Sequence, residues 1–162
     1  SNEAVYIMDT NGSHLSVVDS EPFNIQVTWS PLNDLILITK IPEIGADNSD
    51  IWQINLKDNK RSNLTESNKS ADISPVWSPD GQNIIFLSAR NRDGRDIWKM
   101  TATGTNQSSI TKDFDGSIFG LAFSPDGNKI AFSAIKNKKS GIWVINFDGS
   151  GLINLSDVNC ST

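Results

Sequence analysis

Six of the chain's 14 basic residues fall in two short stretches: Arg90, Arg92 and Arg95 in residues 90–95, and Lys136, Lys138 and Lys139 in residues 136–140. With Asp93 counted, the stretches carry +2 and +3, on a chain whose net charge is −5. The corresponding stretch earlier in the chain, 42–49, carries Glu43 and Asp47 and is acidic. Local positive charge on an acidic protein is what draws an anionic partner to one place by long-range attraction. The same residues also suit a solvated rim, where charge serves solubility. These six are the candidate partner-binding face.

Other chemistry finds little support. Asp9-Thr10-Asn11-Gly12, Asp113-Phe114-Asp115-Gly116 and Asn146-Phe147-Asp148-Gly149 look like the start of a calcium loop. None has the flanking helices and the bidentate Glu twelve positions along that such a loop requires, so they read as turns. Zinc needs clustered His or Cys, and the chain has one of each, His14 and Cys160. One cysteine also excludes an internal disulfide framework. Ser133-Ala134-Ile135-Lys136 matches a Ser-x-x-Lys string, but that chemistry needs both residues on one face of a helix. On a strand, a spacing of three points them to opposite sides. His14 has no Gly-x-Ser-x-Gly elbow to serve. No catalytic residue, metal site or cofactor is expected.

The elements that carry these residues repeat. The stretch 121–156 reads LAFSPDGNKIAFSAIKNKKSGIWVINFDGSGLINLS. It holds four apolar runs, A to D, separated by turn residues in which Pro presets φ, Asp bonds its own backbone and Gly takes positive φ. Run A ends in Ser-Pro at Ser30, Ser78 and Ser124; run C carries an aromatic at Tyr6, Trp52, Trp98 and Trp143. Run D ends at Asp19, Thr65, Thr111 and Ser156. The spacing is 45 to 48 residues throughout, and four short strands on such a period make a β-propeller blade. The expected fold is all-β, a propeller segment of about three and a half four-stranded antiparallel blades. Residues 1–20 form an outer half blade, and full blades span 24–66, 73–113 and 118–158. The five tryptophans (29, 52, 77, 98 and 143) occupy repeat positions and are expected to pack in the core. In such a blade the 42–49, 90–95 and 136–140 loops all lie on one face of the disc.

WSPDG at 77–81, FSPDG at 123–127 and the Asp-Ile-Trp strings at Asp50 and Asp96 resemble the WD40-like (PD40) repeats of the TolB propeller family. Two departures stand out: Ser30-Pro31-Leu32-Asn33 lacks the Asp and Gly of that turn, and Gly141 stands where the other units have Asp. The resemblance implies a non-enzymatic scaffold for protein recognition in the periplasm or at the cell surface of a bacterium, as part of a longer exported protein. Related repeats also gate serine peptidases of the prolyl-oligopeptidase and tricorn kind, whose catalytic domain would carry Gly-x-Ser-x-Gly. Others bind carbohydrate, where metal-dependent members place several His in the channel.

Net negative charge argues against nucleic acid as a partner, and no apolar run approaches the roughly 20 residues of a membrane span. The expected partner is a protein with acidic character. Three and a half blades leave the strand at residues 4–10 without an inner neighbour and an apolar face at each end, so self-association through the open ends is a further expectation. Without a closed ligand set, folding should need no metal. Thermal unfolding with chelator should match that without it to within about 5 °C, a shift of order 1 kcal/mol for a chain this size; a larger drop would show a structural metal.

Overall fold

A computed structural model describes residues 4–20, 24–42, 48–66, 69–90 and 94–157. Fourteen strands run in chain order: β1 (Val5–Ile7), β2 (Ser16–Asp19), β3 (Asn24–Trp29), β4 (Leu35–Lys40), β5 (Asp50–Asn55), β6 (Arg61–Asn63), β7 (Asp72–Trp77), β8 (Asn83–Ser88), β9 (Asp96–Thr101), β10 (Ser108–Ser109), β11 (Ser117–Phe123), β12 (Lys129–Lys136), β13 (Lys139–Asn146) and β14 (Ile153–Asn154). Each strand pairs antiparallel with its sequence neighbour. The result is one two-stranded sheet, β1-β2, and three four-stranded sheets, β3-β4-β5-β6, β7-β8-β9-β10 and β11-β12-β13-β14. The only helical element described is a single 3-10 turn at Leu155–Asp157. No described helix is long and apolar enough to cross a membrane. This is the repeating antiparallel blade that the 46-residue period implied.

The core lies between sheets, not within them. Val5 packs with Ile36, Ile38 and Ile54 between the half blade and the first full blade. Leu37, Ile51 and Leu64 meet Trp77, Ile84, Phe86 and Met100 across the next interface. Ile85, Leu87, Ile97 and Ile110 meet Phe114, Ile118, Ile130, Phe132 and Ile145 across the third. Alternate residues of β4 and β8 thus point into different interfaces, which is why LILIT and IIFL are continuous apolar runs instead of alternating ones. Each such side chain contributes roughly 1.5–3 kcal/mol of burial.

Polar bonds repeat on the same period. The hydroxyls of Thr65, Thr111 and Ser156 accept the backbone N–H of Ile51, Ile97 and Ile142 at 2.9, 2.8 and 2.8 Å. The chain after each outermost strand is thereby fastened to the start of strand C, which explains the Thr/Ser landmark. In the SPDG turns, Ser124 Oγ donates to Asp126 Oδ1 at 2.6 Å, and Lys129 N donates back to Ser124 Oγ at 2.9 Å. Ser78, Asp80 and Asn83 repeat the arrangement. The Ser30 turn lacks the carboxylate, and Leu32 stands at its position. Gly81 has φ +65°, which favours glycine, and the exposed Leu32 side chain lies within 2.9 Å of where a Cβ would stand.

Not every tryptophan is in the core. Trp77 is 6% exposed, covered by the preceding blade, whereas Trp29 at the same repeat position is 55% exposed. The sheet before Trp29 has only β1 and β2, the counterparts of strands C and D, and offers no inner strands to cover it.

Hydrogen bonds from Ser124 and then Asn128 hold the Asp126 carboxyl down from its ordinary 3.8 to about 2. A carboxyl depressed by folding stabilises the fold above pH 3.8, and that contribution is lost as pH falls toward 2. Asp126→Asn should therefore lower the urea midpoint at pH 5 and converge on the wild type near pH 2. A constant gap across that range would refute the assignment.

Candidate functional site

Three full blades place a cation over the strand-C tryptophan. Lys40 Nζ lies 5.3 Å from the Trp52 ring centre, Arg90 Cζ lies 4.8 Å from Trp98, and Lys136 Nζ lies 5.9 Å from Trp143. Such contacts contribute about 0.5–1 kcal/mol when exposed and more when desolvated. The first two cations also meet a buried carboxylate: Lys40 pairs with Asp19 at 2.8 Å, and Arg90 with Asp72 at 2.6 Å. Lys136 has no such partner among the described residues. Its ammonium sits between Trp143 and Phe114, 5.2 Å from the latter ring.

Lys136, Lys138 and Lys139 border an open cavity of about 660 Å³, whose other lining residues include Gly141, Trp143 and Ser156. The local fold brings the lysines together. Residues 136–140, expected as a five-residue loop, are mostly strand: Lys136 and Lys139 pair as the last residues of β12 and β13. Only Asn137 and Lys138 turn, at φ +53° and +63°. Positive φ at both central residues defines a type I′ hairpin, whose twist matches that of the strands it joins.

The other candidate cations behave differently. Arg90 is not a free surface charge: besides Asp72 it meets Gln107 Oε1 at 2.5 Å and the Phe86 ring at 5.5 Å. Its side chain is only 13% exposed, and its role is to pin the blade. Arg95 is half-buried. Arg92 lies outside the described residues, as does Cys160. The lysine hairpin is thus the part of the expected face that the structure gathers at one cavity. Ser156 was visible in the sequence as a repeat landmark, but only the strand pairing shows that it lines this cavity.

One cluster imitates a hydrolytic triad. His14 Nδ1 lies 2.6 Å from Asp9 Oδ2 and 3.2 Å from Ser13 Oγ. A triad needs the acid on one ring nitrogen and the nucleophile on the other, and here both contact Nδ1. The His14 side chain is 83% exposed and belongs to a tight turn. Hydrogen bonds from His14, then Ser13, lower the Asp9 pKa. Ser133 Oγ accepts the Gly120 N–H at 3.0 Å, bridging a bulge in β11. No cluster of three potential metal-ligating side chains occurs among the described residues.

No family model matches the sequence, and no curated protein matches it. Solved structures do share the fold. A TolB of Agrobacterium tumefaciens superposes with TM-score 0.77 at 21% identity, over 93% of this chain and 55% of its own. TolB from Acinetobacter baumannii gives 0.74 at 21% identity, over 94% of this chain and 37% of its own. The β-propeller domain of the Trilobed protease from Pyrococcus furiosus gives 0.58 at 21% identity, over 81% and 41%. The fold is a TolB-like β-propeller, and the chain spans about half the length of the first of these structures and about a third of the second.

Type I′ turns favour glycine at the second central position, and Lys138 holds a left-handed backbone there. Lys138→Gly should raise stability by about 0.5–1 kcal/mol, seen as a higher urea midpoint with unchanged slope. A lower midpoint would mean that the lysine side chain contributes more to the fold than its backbone costs.

Proposed function

We propose that this chain is a non-catalytic, TolB-like propeller scaffold for protein recognition, working in the periplasm or at the cell surface of a bacterium within a longer exported protein. The observation that carries the reading is the convergence of Lys136, Lys138 and Lys139 on one cavity of an acidic chain. Strands paired in register fix where those charges sit, and a rigid blade presenting a charged hairpin suits docking of an acidic protein surface. Lys138 and Lys139 are exposed and available for encounter.

Propellers attached to peptidases are a second reading, favoured by the likeness to the Trilobed protease propeller. There this chain would gate access to a catalytic domain and take no part in bond cleavage. A hydrolytic segment elsewhere in the same gene would decide for that role. Self-association is a separate proposal, supported by the exposure of Trp29 and, on the last blade, of Phe119 and Ile142. A monodisperse 17.7 kDa monomer in light scattering would reject it.

The docking proposal is tested with a photo-cross-linker at position 139 in cells, followed by association kinetics with the captured protein. Lys138→Glu/Lys139→Glu should slow association several-fold at low salt and flatten its salt dependence, because steering by exposed charges is screened over about 10 Å at 0.1 M salt. Unchanged rates and salt dependence would reduce the lysines to a solvated rim.

A further inference from the structure

The first full blade shows what normally occupies the space beside Gly141. There Asp50 opens β5, and its carboxylate accepts Asn63 Nδ2 at 2.8 Å and Thr65 Oγ1 at 3.2 Å. In the last blade Gly141, Asn154 and Ser156 take the places of Asp50, Asn63 and Thr65. Trp143 pairs with Asn154 as Trp52 pairs with Asn63. Asn154 Oδ1 accepts the Ser156 amide at 2.9 Å, as Asn63 Oδ1 accepts the Thr65 amide at 3.0 Å. Ser156 Oγ accepts the Ile142 N–H, which leaves its own proton to donate, as Thr65 donates to Asp50. The backbone contacts of that frame are kept at Asn154 and Ser156, and its carboxylate is removed.

Three lysines, one of them held over two aromatic rings, border that same space. We infer that the Gly141 cavity is a seat for a carboxylate supplied from outside the blade, the acidic side chain of a docking peptide. It takes the place that Asp50 fills in the first blade. Ser156 Oγ donates one hydrogen bond, and Lys136 supplies the opposite charge from a part-buried position where screening is weak. Lys138 and Lys139 stand at the mouth and draw the acidic segment in. The assignment rests on the protein-recognition reading and names the group that is recognised. The backbone of Gly141 is not in the left-handed region, and a Cβ there would lie 3.1 Å from Ser156 Oγ and 3.3 Å from Asn154 Oδ1, so Asp fits after a shift of a few tenths of an ångström.

That fit supplies the test. The isotopically labelled chain is titrated with the blocked peptide acetyl-Gly-Glu-Gly-amide, with its Gln counterpart, and with acetate, following backbone amide signals. The Glu peptide should move the Gly141 and Ser156 amides saturably, with Kd of order millimolar, and the Gln peptide should bind about tenfold more weakly. Gly141→Asp, which restores the internal carboxylate, should abolish the response, and Lys136→Met should weaken it about fivefold or more. Equal binding by Gly141→Asp and wild type, equal binding of the Glu and Gln peptides, or no response from the folded wild type would overturn the seat. Acetate binding as tightly as the peptide would overturn the peptide assignment in favour of a small free acid. If Gly141→Asp leaves association of the cross-linked protein partner unchanged while Lys138→Glu/Lys139→Glu slows it, the cavity is refuted and the lysine docking face stands.

Discussion

Burial of the second strand on both faces in the first two full blades, β4 and β8, is the constraint on which the rest of the structure depends. Leu37 and Ile38, neighbours on β4, are fully buried in two different interfaces, and so are Ile84 and Ile85 on β8. A single sheet of this kind has no core of its own, so a blade gains its stability by packing against a neighbour. Polar anchors then fix the angle at which blades stack. Gln53 Nε2 reaches the Ala102 carbonyl at 3.0 Å, and Lys99 Nζ, one period on, reaches the Phe147 carbonyl at 3.3 Å. Arg61 donates to the Val18 carbonyl at 2.8 Å and pairs with Asp19 at 3.2 Å. Apolar burial supplies the attraction, and these directional contacts supply the register.

Stacking also divides the molecule by tolerance to change. Residues in the interfaces meet other repeats and are held to the repeat pattern. Asn137, Lys138 and Lys139 at the β12–β13 hairpin tip meet solvent, and the corresponding stretches of sequence run from acidic at 42–49 to basic at 136–140. The last blade shows both regimes within one strand pair. Ile130, Phe132 and Ala134 on β12 are buried against the preceding blade, while Lys136, two residues on, lines the cavity.

Much of this was legible in the sequence because the repeat multiplies weak signals. No single Ser-Pro or Asp-Ile-Trp string would identify a propeller, but landmarks kept in phase at Ser30, Ser78 and Ser124 and at Trp52, Trp98 and Trp143 do. Charge location was less legible. Arg90 and Lys136 look alike as loop cations, yet Asp72 lies 18 residues before Arg90 and takes it into an ion pair, a contact set by pairing across β7 and β8 and invisible to local composition. Trp29 and Trp77 are likewise equivalent in sequence, and their burial differs because of what the neighbouring sheet contains. Repeat position predicts which side chain points inward; it does not say whether anything is there to meet it.

Departures from a repeat separate by what the structure puts in their place. At Leu32 the Asp of the SPDG turn is gone, and the leucine side chain lies against Gly81 of the next blade. That change exchanges a polar turn for an apolar contact and completes itself within the chain. At Gly141 the Asp is also gone, and nothing among the described residues takes over its charge; instead a cavity opens with cationic walls. Asn154 and Ser156 keep the backbone contacts that Asn63 and Thr65 make in the first blade, so the site has not simply decayed. Removing one internal anion while preserving its backbone frame leaves three lysines around an open cavity, and positive charge concentrated there favours a carboxylate supplied from outside the blade. The proposed seat thus lies where the repeat is broken and the described residues leave the missing carboxylate unreplaced.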